Sequence, residues 1–134
     1  MAAMDDDARC PCGTGHPYGD CCAPLHRGAA EAPTAEALMR SRFSAFAAGD
    51  AAYLLRTWHP RTRPAELDLD PAQRWVRLEI LAAGAGGAFD EAGTVEFRAH
   101  YRHGAERGSL RERSRFARVS GAWRYLDGQP PDRP

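Results

Sequence analysis

The stretch Cys10–Cys22, CPCGTGHPYGDCC, holds every cysteine of a 134-residue chain. With Gly13, Gly15, Gly19 and two prolines inside it, the segment cannot bury a core of its own. Cys10 with Cys12 and Cys21 with Cys22 form two close pairs of soft sulfur donors across a turn. That pattern suits one tetrahedral Zn²⁺. Metal binding then supplies folding free energy that apolar burial cannot, on the order of 10 kcal/mol. Four thiolates leave no open coordination position, so the expected ion is structural. The filled site carries a charge of about −2, with Arg9, Arg27 and His16 as nearby cations. Two other readings of the same cysteines stay open here. One is iron in a rubredoxin-like site. The other is disulfides across the loop in an oxidising compartment, since pairing within either couple is strained.

Working outward, residues 1–9 are acidic and read as a disordered lead, with no apolar run to make a signal or transit peptide. The knuckle occupies 10–26, and Pro24–Pro33 reads as a linker. The main domain spans 34–129, and a proline-rich tail at 130–134 is expected to be loose. No segment reaches the length of a membrane span. Thiols arranged for metal point to the cytoplasm.

Composition is that of a soluble globular domain, 43% hydrophobic and 27% charged. All 18 basic residues are arginine, and the formal net charge is zero. That balance argues against a general polyanion binder, although arginines cluster over 98–118 and acidic residues over 1–33. A solvated arginine face is the plainer reading of that cluster.

The main domain opens with helices. Thr34 can cap a helix whose apolar positions include Leu38, Met39, Phe43 and Phe46, and Gly49 stops it. Asp50 can cap a second helix running to about Trp58. Asp70-Pro71-Ala72-Gln73 reads as one short helical turn. The period then changes to two. Val76, Leu78, Ile80 and Ala82 share one face of a strand, and Val95, Phe97, Ala99 and Tyr101 share one face of the next. A third strand is expected at about 109–119, with a tight turn at Ser120-Gly121 and a last strand over Ala122–Asp127. Helices followed by four antiparallel strands give an α+β domain.

A curved sheet wrapped around those helices is one solution for such a domain, and it would enclose a pocket. On the third strand Glu112 and Ser114 share the face of Leu110 and Phe116, with Arg111, Arg113 and Arg115 opposite. On the fourth, Trp123, Tyr125 and Asp127 share a face. The candidate pocket residues are therefore Arg40, Arg42, Tyr53, Trp58, His59, Glu112, Ser114, Trp123, Tyr125 and Asp127. Among them His59, Glu112 and Asp127 are the candidate acid/base groups. The plainer alternative has His59 capping a helix and Glu112 in a buried ion pair.

CPCGTGHPYGDCC resembles the SEC-C zinc motif, which also ends the SecA preprotein-translocation ATPase. LMRSRFSAFAAGDAAYLLRTWHP (Leu38–Pro60), ERSRF (Glu112–Phe116) and WRYLDG (Trp123–Gly128) resemble the YchJ family of small bacterial proteins without an established function. The resemblance implies a cone-shaped curved antiparallel sheet of the nuclear-transport-factor-two-like class, packed on N-terminal helices and preceded by the knuckle. Some relatives carry a second SEC-C motif at the C-terminus, and this chain has no cysteine there.

The leading expectation is a binding module, with a protein partner on the knuckle through exposed His16, Pro17 and Tyr18, or a small ligand in the cone. The SecA knuckle, to which this one is similar, contacts the SecB chaperone and ribosomes. The alternative is an enzyme performing acid/base chemistry on a small organic substrate in the cone. A third is an RNA- or ribosome-associated factor reading through Arg111, Arg113 and Arg115. Nucleic acid is disfavoured by net charge, no membrane partner is expected, and homodimerisation through the sheet is implied by analogy.

Overall fold

The computed structural model describes residues 4–129. After a 3-10 turn at Tyr18–Asp20, the elements are α1 (Ala23–His26), α2 (Ala35–Ala48) and α3 (Ala51–Arg56). Four strands follow: β1 (Gln73–Ala85), β2 (Ala92–His103), β3 (Glu106–Val119) and β4 (Ala122–Gln129). They form one antiparallel sheet in sequence order, β1-β2-β3-β4. The expected α+β class, with the sheet curved around its helices, is what the chain adopts. No helix among the described residues is long and apolar enough to cross a membrane.

The helix signals act as read. Thr34 accepts a hydrogen bond from Ala37 N at 3.0 Å, and Asp50 accepts one from Tyr53 N at 3.0 Å. Gly49 ends α2 at φ 73°, a left-handed conformation that a side chain resists. Helix α2 is buried on nearly every side. Leu38, Met39 and Phe43 join the sheet core with Val95, Phe97, Phe116 and Trp123, while Ser41, Ser44 and Ala45 are buried against other neighbours.

Two expectations about local structure are corrected. Asp70 makes a turn instead of a helical cap: its side chain accepts from Ala72 N and its carbonyl from Gln73 N. The acidic lead is ordered from Asp5 onward. Gly19 N donates to Asp6 O at 2.9 Å, Tyr18 N donates to Ala8 O at 2.7 Å, and Arg27 pairs with the Asp6 carboxylate. The tail at 130–134 lies outside the described residues.

The sheet departs from simple alternation at three bulges. In β1 the extra residues Val76 and Leu81 stand without partners, and both are exposed. Trp75 therefore points inward in place of Val76, and Ala82 pairs with outward Glu96. In β4 the extra residue is Leu126. This last bulge reverses the phase of Asp127, as described below.

Close backbone approach fixes the β1–β2 hairpin. A Cβ on Gly93 would collide with Gly86 Cα and sit 2.6 Å from Gly86 N. Gly93→Ala should therefore lower stability by about 1–3 kcal/mol, read as a drop in the urea midpoint with unchanged slope. An unchanged midpoint would show that this approach is not a constraint.

Candidate functional site

The knuckle is built by tight backbone turns. Arg9 and Pro17 pair across the base of the loop, with Cys10 N donating to His16 O at 2.9 Å. Gly13 and Gly15 adopt φ near 90°, where a side chain would be strained. The 3-10 turn and α1 then return Cys21 and Cys22 to the first pair. The four sulfurs of Cys10, Cys12, Cys21 and Cys22 all lie within 4.8 Å of one another. A tetrahedron with Zn–S bonds of about 2.3 Å has edges of about 3.8 Å. Cys12 Sγ and Cys21 Sγ stand 3.5 Å apart, and all four cysteines are free. A disulfide needs about 2.05 Å. The set fits a tetrahedral metal.

The electrostatics of the cluster point the same way. The contact with Cys10, then that with Cys22, holds the Cys12 thiol far below its ordinary range. The contact with Cys10 pushes Cys22 far above it, and burial pushes Cys21 up to about 11. Burial and the neighbouring sulfurs thus oppose ionisation of Cys21 and Cys22. A divalent cation at its centre would remove that resistance. Hydroxyls stand ready as donors, with Ser44 Oγ 3.0 Å from Cys22 Sγ and Thr14 Oγ1 3.2 Å from Cys21 Sγ.

Ser44 belongs to α2, so the knuckle is sewn to the main domain. Arg40 donates to Cys12 O at 2.7 Å and to Glu36 at 3.1 Å. His26, in the segment read as linker, links three elements. Its Nε2–H donates to Ser41 O at 2.8 Å, leaving Nδ1 to accept from Tyr18 OH at 2.7 Å. The imidazole also packs on the Tyr53 ring with centroids 4.6 Å apart. Tyr53 OH in turn meets Ser41 Oγ at 2.7 Å. Arg40 and Tyr53 thus serve the knuckle seam instead of the pocket. Tyr18, expected to be exposed for contact, is buried; His16 and Pro17 are exposed.

The other side of α2 faces a pocket of about 130 Å³. Helix α2 contributes Met39, Arg42, Phe43 and Phe46, and β1 and β2 contribute Trp75, Phe97 and Ala99. Strand β3 adds Leu110, Glu112 and Ser114, and Trp58 and Tyr125 complete the lining. Of the ten candidates, Arg42, Trp58, Glu112, Ser114 and Tyr125 converge here. The missed residues are apolar. Phe43, Phe46 and Phe97 carried a core pattern with no sign of a gap between them, and Trp75 was displaced inward by the Val76 bulge.

Arg42 is 3% exposed. It donates through Nη1 to Leu54 O at 2.8 Å and Thr57 Oγ1 at 2.7 Å, and its guanidinium lies over the Tyr125 and Trp58 rings. Burial pushes its pKa down to about 10. Glu112 is half-buried over Gly128, where a Cβ would displace its carboxyl. Burial, and then the charge of Asp127, raises the Glu112 pKa. Burial likewise pushes Tyr125 up to about 12.

The remaining candidates sit elsewhere. Helix α3 stops at Arg56, so His59 does not close it. His59 N donates to Tyr125 O at 2.7 Å, and its Nδ1 accepts from Arg61 N at 3.1 Å. Asp127 is turned to the outer face by the Leu126 bulge, opposite Arg115, whose Nε donates to it at 2.7 Å. Trp123 is fully buried beneath Arg118. His59, Glu112 and Asp127 therefore do not converge, and the three-group acid/base assembly is not formed. On the outer face, Arg111 pairs with Glu96 and Arg115 with Asp127, so the arginine stripe is interleaved with carboxylates.

Fold and cluster together define a SEC-C motif protein carrying a domain of the NTF2-like class. Residues 8–24 match the SEC-C motif, and residues 34–128 match the family described as YchJ, middle NTF2-like domain. The chain belongs to the YchJ family. A UPF0225 protein of Streptomyces coelicolor is 64% identical over 120 residues, covering 90% of this chain and 94% of that one. A UPF0225 protein of Deinococcus radiodurans is 48% identical, covering 88% and 86%. The solution structure of a SEC-C motif containing protein from Rhodopseudomonas palustris matches with a TM-score of 0.82 at 36% identity, covering 93% of this chain and 100% of that one.

Two outcomes follow from this geometry. Ser44→Ala removes a hydroxyl donor from Cys22 and should weaken metal affinity about tenfold or more, measured by competition with a chromophoric chelator; unchanged affinity would exclude that contact as a support. Because the folded pKa of Glu112 is raised, its ionisation opposes folding. The penalty is absent below the ordinary carboxyl range, about 4.3, and grows as pH rises through the unfolded and then the folded value. Glu112→Gln should raise the melting temperature at neutral pH, with the gain vanishing in acid. A gain that persists in acid would contradict this.

Proposed function

We propose that the chain is a small-ligand-binding module in which a zinc-filled knuckle acts as a structural clasp on the helix that forms the pocket. The observation supporting this most strongly is the double use of α2. Ser44 and Arg40 on one side touch the cysteine cluster, while Arg42, Phe43 and Phe46 line the pocket on the other. Fixing the helix by metal fixes the pocket wall. Four sulfurs with no room for water favour a structural ion, and the tetrahedral thiolate set suits Zn²⁺.

The pocket has the character of a binding site, with apolar walls and a few polar groups collected at one end. Glu112 makes no hydrogen bond or ion pair among the described residues, and Trp58 Nε1 is buried without a partner. A protein partner on the exposed His16-Pro17 tip would be compatible with this role, because the clasp holds that loop rigid.

The test is a screen of single-ring fragments against the metal-loaded chain by ligand-observed NMR. Leu110 is 44% exposed at the pocket, so Leu110→Trp should block entry without disturbing the core. Fragments should bind the native chain and be lost from Leu110→Trp at equal stability. Failure of every fragment, or binding that survives the block, would refute the reading.

A further inference from the structure

We propose that the pocket selects a small organic anion: a carboxylate carried on a body no larger than one six-membered ring. The inference rests on the reading of the pocket as a ligand site and adds the chemical class of its occupant.

Size sets the body. The cavity measures about 130 Å³, and an apolar cavity of about 150 Å³ is enough to hold benzene. Shape narrows it further. Phe43 and Phe46 meet Trp75 at interplanar angles of 70° and 60°, with centroids 6.4 and 6.1 Å apart. Together with Phe97 they offer aromatic faces and edges against which a flat ring can pack.

Charge sets the head group. Arg42 is the pocket's most deeply buried charged side chain, and no carboxylate among the described residues pairs with it. Its hydrogen-bond and ring partners among the described residues are the carbonyl of Leu54, the Thr57 hydroxyl and the faces of Tyr125 and Trp58. A guanidinium out of water with dipoles and ring faces alone lacks its best partner, and a ligand carboxylate would supply it. Trp58 contributes a second donor. Its ring lines the pocket, and its indole N–H is buried with no acceptor among the described residues. Indole can only donate, so its complement must be an acceptor. Ser114 and Tyr125 add hydroxyls to the same lining.

Glu112 is the one acidic group in the lining, and it argues for an anion only in part. Burial favours its protonated form, which donates a hydrogen bond to a carboxylate, while its ionised form repels one. It shares the lining with Tyr125 of β4 and Arg42 of α2, while Asp127, whose charge also raises its pKa, sits on the outer face engaged by Arg115. Removing its charge should therefore strengthen the binding of an anion and weaken that of a cation.

The experiment compares benzoate, benzamide and benzylamine, three probes of one ring and nearly one size, with the full-length metal-loaded protein. Binding is followed in ¹H–¹⁵N spectra, with the Trp58 indole signal assigned from Trp58→Phe. Benzoate should bind about tenfold or more tightly than benzylamine, and it should move the Trp58 indole resonance. Trp58→Phe keeps an aromatic ring but loses the N–H, and should weaken benzoate about tenfold. Glu112→Gln, which puts no core contact at risk, should tighten benzoate and loosen benzylamine. Equal or tighter binding of benzylamine or benzamide would overturn the anion assignment while leaving the pocket as a ligand site. Benzoate binding that leaves the Trp58 signal unmoved would overturn it too. If none of the three binds, the ligand-site reading falls with it.

Discussion

Four sulfur atoms gathered within 4.8 Å of one another, and tied by Ser44 to the middle of α2, set the terms for the rest of this molecule. The segment that carries them has too little apolar surface to fold alone. Four thiols so close cannot all ionise without a central cation. Metal, knuckle and helix therefore form one mechanical unit. Around it lies a polar seam in which Tyr18, His26, Ser41 and Tyr53 satisfy one another's hydrogen bonds. Buried polar networks of this kind are costly when incomplete and specific when complete. Here the network seats the knuckle in one orientation on the domain.

The same helix then serves a second purpose. Because α2 is held from behind, its forward side can leave a gap against the sheet without collapse of the core. The gap is apolar for most of its wall and polar at one end, where Arg42 lies over Trp58 and Tyr125. Bulges in β1 and β4 decide which side chains enter. The first brings Trp75 inward, and the second removes Asp127 and leaves Gly128 beneath Glu112.

Much of this was legible in the chain itself. Thr34, Gly49 and Asp50 mark helix ends through backbone hydrogen bonding, and the period-two face of β2 needs no context to be read. The cysteine spacing announced the cluster. Bulges were not legible, because an extra residue changes phase without changing composition; Val76, Ala82 and Asp127 therefore take the face opposite to the one strict alternation predicts. His26 was hidden in a proline-flanked stretch with no periodicity, and its role depends on residues far along the chain. Tyr18 sat among glycines and prolines that suggest exposure, yet Gly19 and Asp6 fold the acidic lead against that turn. Arg40 and Arg42 diverge on α2 as helical geometry requires, one toward the knuckle and the other toward the pocket.

The most direct test of the clasp is X-ray absorption at the metal edge of the full-length chain, combined with elemental analysis. One zinc per chain with four sulfur neighbours at about 2.3 Å is the expected result. Nitrogen or oxygen in the first shell, a substoichiometric metal in folded protein, or sulfurs bonded to one another would contradict it.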